Sequence, residues 1–216
     1  MIDAITPKTR LIFIANPNNP TGALVSQRKI DMYISRVPKN VVTVFDEAYF
    51  EFIDRPPDVL RYVREKKHVV VLRTFSKIHG LAGLRVGYGL AHSELIQVLQ
   101  KAREPFNVNS IAQVGALAAL DDEAHAAETK RVVDEGRAYL EKEFGAMNLR
   151  FVPAAANFVM VNIGDGPGVF KQLLAQKVIV RPLKSYGLDE WVRVSVGTME
   201  QNCKCIAALK NVLSKV

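Results

Sequence analysis

Three groups of polar residues in this 216-residue chain each follow a short apolar run. Asn19 comes after Leu11–Ala15, Asp46 and Tyr49 after Val41–Phe45, and Thr74, Ser76 and Lys77 after His68–Leu72. An amide, a carboxylate, a phenol, two hydroxyls and a primary amine are a set from which a site for a small polar ligand can be built. Singly, each is ordinary: a strand-end carboxylate caps helices, and most lysines are solvated. Three such groups on successive strand ends are a stronger signal, because open parallel sheets bind ligands beyond the carboxyl ends of their strands.

The elements that must position these groups are legible in the hydrophobic pattern. Ile30, Tyr33, Ile34 and Val37 recur at helical spacing after Ser26, a residue suited to cap a helix. A second helix is expected over Val59–Lys66. Continuous apolar strands separated by helices predict a buried, mostly parallel sheet with helices on both faces. From about Ser110 the pattern changes. Ile111, Val114, Leu117 and Leu120 mark one helix, and a long charged helix follows from about Asp122 to Phe144. Strands are expected at Phe158–Ile163, Val178–Pro182 and Val192–Val196, with a helix through Val169, Phe170, Leu173 and Leu174 after the first of them. Thr198 with Gln201 predicts a capping box for a last helix that buries Ile206, Leu209 and Leu213. The division expected is an α/β domain over 1–120 and a smaller α+β domain over 121–216.

Composition narrows the function. Hydrophobic residues make up 49% of the chain and charged residues 24%, a balance that suits a soluble globular protein with a sizeable core. No apolar run approaches the roughly 20 residues of a membrane span. The first ten residues do not read as a signal peptide, so a cytoplasmic address is expected. The net charge of +7 allows nucleic-acid binding, but the basic residues are scattered and lack interleaved aromatics; Arg61, Arg64, Lys66 and Lys67 read as a solvated helix end. Cys203 and Cys205 are two apart in a helix-like segment and do not share a face, so no disulfide or metal pair is expected there. His68, His79, His92 and His125 show no metal spacing, and no phosphate-loop signature occurs. Glu47 beside Asp46 is not a glycosidase pair, since adjacent strand residues face opposite ways.

The segments Asn16-Pro-Asn-Asn-Pro-Thr-Gly22, Asp46-Glu-Ala-Tyr49, Thr74-Phe-Ser-Lys77 and Gly80-Leu-Ala-Gly-Leu-Arg-Val-Gly87 resemble the motifs of fold-type I pyridoxal-phosphate (PLP) aminotransferases. Their order and spacing are most similar to the histidinol-phosphate branch of that family. The likeness continues through Asn157-Phe-Val, Arg181-Pro-Leu and Arg193-Val-Ser-Val-Gly-Thr198. Each motif is weak alone; the ordered set is specific.

That resemblance implies a role for each matching residue. Lys77 would form a Schiff base with the cofactor aldehyde and shuttle a proton. Asp46 would keep the pyridine nitrogen protonated, and Asn19 and Tyr49 would donate to the phenolic oxygen. Thr74, Ser76 and Arg85 would hold the phosphate, with Thr74 standing where relatives often have Ser. Arg193 would grip a substrate carboxylate, Arg181 a substrate phosphate, and Asn157 would touch substrate or hold a loop. For both arginines the ordinary alternative is a surface salt bridge.

The implied reaction is amino transfer between histidinol phosphate and 2-oxoglutarate or glutamate, a step of histidine biosynthesis, in a homodimer. An aromatic amino-acid aminotransferase and a decarboxylase of phosphorylated amino acids share the same cofactor anchors. A cofactor-free interaction module or inactive fragment is the alternative of another class. The resemblance begins well inside the family's chain, so the family's N-terminal cofactor contacts are not expected among these residues, and weak cofactor binding by the chain alone is expected.

Overall fold

A computed structural model describes residues 1–214. By packing, the chain divides into two units: Met1–Pro17 with Leu24–Ala126, and Asn18–Ala23 with Ala127 onward.

The first unit is built on four strands, β1 (Leu11–Ala15), β2 (Val42–Asp46), β3 (Val69–Thr74) and β4 (Gly87–Ala91), in that spatial order. The first three run parallel, with Ala15 level with Asp46 and Asp46 level with Leu72; β4 is antiparallel to β3. The β-branched runs of β2 and β3 bury Phe45, Val69 and Val71 against Ile30 of α1 (Gln27–Ile34) and Tyr62 of α2 (Leu60–Arg64). The Tyr62 hydroxyl donates to Asp31, and Arg61 completes that tie between the two helices. The opposite face of the sheet buries Val44 and Val70 but leaves Leu11 56% and Phe13 67% exposed. The α/β class holds, with a mostly parallel sheet.

The first unit also contains α3 (Ser93–Ala102), α4 (Ser110–Leu120) and the start of α5 (Glu123–Ala146). Asn109 caps α4 by accepting the Ala112 N–H. The α4 helix is where the pattern predicts it, but its inward face is the small one. Ala112 and Ala116 pack with Phe75 and Val86, while Ile111, Val114 and Leu117 are 73%, 68% and 67% exposed.

The second unit holds an antiparallel sheet of β5 (Phe151–Val152), β6 (Phe158–Asn162), β8 (Leu188–Ser195) and β7 (Arg181–Leu183), in that order. Its core joins Leu140 and Phe144 of α5, Val159 and Val161, Val169 and Leu173 of α6 (Gly166–Ala175), and Ile206 and Leu209 of α7 (Met199–Leu213). The capping box of α7 is formed, with Thr198 Oγ1 accepting from Gln201 N–H and the Gln201 side chain accepting from Thr198 N–H. Ser26 occupies the cap position of α1 without a side-chain hydrogen bond. The run read as a strand at Val178–Pro182 becomes strand only from Arg181. Cys203 is exposed and Cys205 buried, and burial pushes the Cys205 thiol up to about 11. Among the described residues no helix is long and apolar enough to cross a membrane.

Candidate active site

Because β1, β2 and β3 are parallel, their carboxyl ends share one edge of the sheet. Asp46 is the last residue of β2; its carboxylate is exposed and accepts the Ala48 N–H at 3.1 Å, which turns the chain toward Tyr49. Tyr49 is buried, and the Lys77 Nζ stands 5.2 Å from the centre of its ring. Thr74 ends β3, and its Oγ1 accepts the Ser76 N–H at 3.0 Å. The edge thus brings together Asp46, Tyr49, Thr74, Ser76 and Lys77.

The loop from Phe75 to Val86 carries Lys77 and is fixed by its own backbone. Phe75 and Val86 bond at 3.2 Å, Leu81 N–H donates to the Phe75 carbonyl at 2.9 Å, and Gly80 N–H to the Lys77 carbonyl at 3.0 Å. Gly87 closes this loop where no other residue fits, since a Cβ there would lie 2.7 Å from the Arg73 carbonyl oxygen. Arg85 takes a left-handed conformation, φ 56°, and its exposed guanidinium donates to the Ala82 carbonyl at 2.9 Å. His79 packs on Phe75, ring centres 5.1 Å apart, and burial together with the nearby His125 holds it below its ordinary range. It lies two residues after the lysine and packs within the same loop.

Asn19, Asn157, Arg181 and Arg193 all belong to the second unit. The segment carrying Asn19 is seated there by Gly22, whose carbonyl accepts the Ala155 N–H at 2.8 Å. A Cβ on Gly22 would lie 2.7 Å from that of Ala154. Arg193 Nη1 donates to Asn19 Oδ1 at 2.5 Å, and its guanidinium lies 4.9 Å over the Phe158 ring. In the register of β7 and β8, Arg181 is directly opposite Arg193, so the two cations share one face of the sheet. Both line a cavity of about 260 Å3 with Phe170, Pro182 and Ser195. Two guanidinium groups on one concavity repel unless an anion lies between them, so this face suits a carboxylate or phosphate. Asn157 precedes β6, and its carbonyl accepts the Val196 N–H at 2.9 Å.

Two neighbours of the site carry no role in the sequence reading. Glu47 is buried, and Arg73 Nε and Nη2 both donate to its Oε2, at 3.0 and 2.9 Å. The Arg73 guanidinium also lies 3.6 Å over the Phe50 ring. Burial raises the Glu47 carboxyl above the ordinary range, and Arg73 opposes that shift. The signal that could have found the pair is parallel register: with Asp46 level with Leu72, the next position sets Glu47 beside Arg73.

The α/β fold defines a broad class of protein, and comparison with known proteins gives the family. The sequence profile of aminotransferase class I and II matches residues 1–209, and the chain belongs to that family. It is similar to a histidinol-phosphate aminotransferase of Akkermansia muciniphila, 51% identical over 97% of this chain and 58% of the relative. One from Moorella thermoacetica is 50% identical over 99% of this chain and 56% of the relative. Among solved structures, a histidinol-phosphate aminotransferase from Sinorhizobium meliloti, in complex with pyridoxal-5'-phosphate, superposes with a TM-score of 0.86. It is 28% identical, over 95% of this chain and 57% of that one. The chain therefore spans a little over half the length of these relatives.

Proposed function

We propose that this chain supplies the cofactor- and substrate-holding residues of a pyridoxal-phosphate aminotransferase acting between histidinol phosphate and 2-oxoglutarate or glutamate. The observation that carries the reading is the shared edge of β2 and β3, with the Lys77 amine beside the Tyr49 ring and Asp46 ending the neighbouring strand. The donor set fits the cofactor: an amine for its aldehyde, a carboxylate for its ring nitrogen, a phenol for its oxygen, and hydroxyls with a guanidinium for its phosphate. When bound, pyridoxal phosphate supplies the electron sink for a substrate Cα that has lost its proton.

Each residue then has its own task. Lys77 Nζ would hold the cofactor through its aldehyde, and the same amine would carry the substrate Cα proton. The Asp46 carboxylate favours the protonated pyridine nitrogen, since an opposite charge stabilises the charged form. Tyr49 donates to the phenolic oxygen. By the family resemblance Asn19 would donate there too, through its amide nitrogen, while its Oδ1 accepts from Arg193. Thr74, Ser76 and Arg85 hold the phosphate. Arg193 binds the glutamate carboxylate, and Arg181 with Arg193 the phosphate of histidinol phosphate, a reading supported by their common face and cavity. The names of the relatives support the substrate pair.

The partner we propose is a second copy of the chain, because the outward stripe of Ile111, Val114 and Leu117 on α4 is apolar surface of the kind that association covers. A sizing measurement that finds only monomer at micromolar concentration would reject it.

Borohydride reduction with pyridoxal phosphate, followed by peptide mapping, tests the central assignment. The pyridoxyl group is expected on Lys77; a label on Lys66, Lys67 or Lys101 would reject it. In an enzyme completed to the length of its relatives, a preference for phenylalanine over histidinol phosphate by about tenfold in kcat/KM, near 1.4 kcal/mol in transition-state binding, would reject the substrate.

A further inference from the structure

We infer that the buried pair Glu47–Arg73 is a positioning device that holds Asp46 and Lys77 in mutual register. The inference rests on the proposed roles of Asp46 and Lys77 and adds to them the residues that set their geometry.

The backbone ladder between β2 and β3 ends at Asp46 and Leu72, where Glu47 N–H donates to the Leu72 carbonyl at 2.9 Å. Beyond it the strands part, one into the turn that carries Tyr49 and the other into the loop that carries Lys77. At the next level of the same register stand Glu47 and Arg73, joined by two charge-assisted hydrogen bonds. A side-chain cross-link thus continues the alignment where the backbone stops providing it. The side chains are 4% and 13% exposed, so water does not compete for the link.

Alternation along each strand sets the pair on the side away from the reactive groups. Asp46 is exposed and Glu47 buried; Thr74, next to Arg73, turns its hydroxyl to the Ser76 N–H. Arg73 is held from three directions: Glu47 accepts its two N–H groups, Phe50 supports its plane, and its carbonyl faces Gly87 at a distance no side chain would permit. Phe50 N–H in turn donates to the Glu47 carbonyl at 3.0 Å, so the turn bearing Tyr49 is tied to the same pair. Glu51 also feels the Arg73 charge, and its Oε2 is buried without a partner in the structure. Arg73 is therefore a cation whose charge both Glu47 and Glu51 feel.

The test compares the parent chain with the double variant Glu47→Leu/Arg73→Met, which keeps volume and removes both charges; such replacements of buried pairs are often neutral for folding. Hydrogen exchange is read on the ligand-free chain. The amides of Ala48, Ser76, Gly80 and Leu81 are expected to exchange at least about tenfold faster in the variant, while Val44 and Val71 in the strands keep their rates. Unchanged rates at Ala48 and Ser76 would overturn the inference, and so would acceleration spread evenly through β2 and β3, which marks a general stabiliser. Glu47→Asp/Arg73→Lys, which restores the charges, is expected to recover part of the protection at Ala48 and Ser76. A second arm reads the rate of borohydride-fixed pyridoxyl label on Lys77, expected to fall in the double variant. If the parent labels elsewhere, the assignment of Lys77 fails while the exchange result still decides the positioning role.

Discussion

In the first unit the proposed site residues stand at or beyond the strand ends, whereas in the second the two arginines, Arg181 and Arg193, lie within strands. Asp46, Tyr49, Thr74, Ser76 and Lys77 stand at or beyond strand ends, in turns and a loop held by local hydrogen bonds. Arg193 lies inside β8, opposite Met160 on one neighbour and Arg181 on the other, so its direction is dictated by register. The difference teaches that loop-borne chemistry needs added supports, such as Glu47–Arg73 and the packing of α4 under the Lys77 loop. Strand-borne chemistry inherits its geometry from the backbone ladder.

Lys77→Ala should show the largest effect. It removes the fixed pyridoxyl label and lowers turnover at least about 10²–10⁴-fold, the contribution of a positioned proton carrier. Its melting temperature should match the parent, because Lys77 is only half-buried and lies on a loop. A normal label would end the loop-borne half of the comparison.

Phe45→Ala and Phe144→Ala test whether each unit rests on its own core. Both side chains are fully buried, in different clusters, and each truncation should cost about 3–5 kcal/mol. Hydrogen exchange should quicken chiefly in the unit that carries the change. Equal quickening in both would show one cooperative core.

Arg193→Ala should weaken binding of a carboxylate substrate by about 1.5–3 kcal/mol, roughly 10- to 150-fold in kcat/KM, with the Lys77 label intact. If the label is lost as well, the arginine face and the strand-end cluster are not separable.

Thr198→Ala removes the cap of α7 and should cost about 1 kcal/mol in melting, with no change in label or substrate preference.

The smallest effect concerns pH. His79 is held below 6.5 in the fold, so between 6.5 and that lower value the unfolded chain binds more protons. Stability should therefore fall as pH drops through 6.5 and be flat above it for this group. His79→Phe should flatten the acid limb; an unchanged limb would show that other groups cause it.

Much of this was legible in the sequence. Parallel strands announce themselves as apolar runs, and β1, β2 and β3 lie within one or two residues of their expected places. The α7 cap was readable because Thr198 and Gln201 form a local motif. By contrast, β4 hides behind Gly87 and Gly89, whose missing side chains erase the strand pattern and whose partner is β3. The large residues of α4 reveal the helix but not its inward face, because close approach to the Lys77 loop selects Ala112 and Ala116 there. Strand ends point to Asp46 and Lys77, while Arg73 acquires its role only when two strands are laid side by side. A single chain read in order carries no such pairing.

Gly87 has a consequence for how this protein can change. The obstacle to a side chain there is the Arg73 carbonyl oxygen, a backbone atom that no rotamer change can move aside. At Gly83 and Gly145 an added Cβ meets nothing within 4 Å among the described residues. In a library randomised at all three codons and screened for folded protein, positions 83 and 145 should return varied residues. Position 87 should return glycine alone, and no compensating substitution elsewhere should widen that choice.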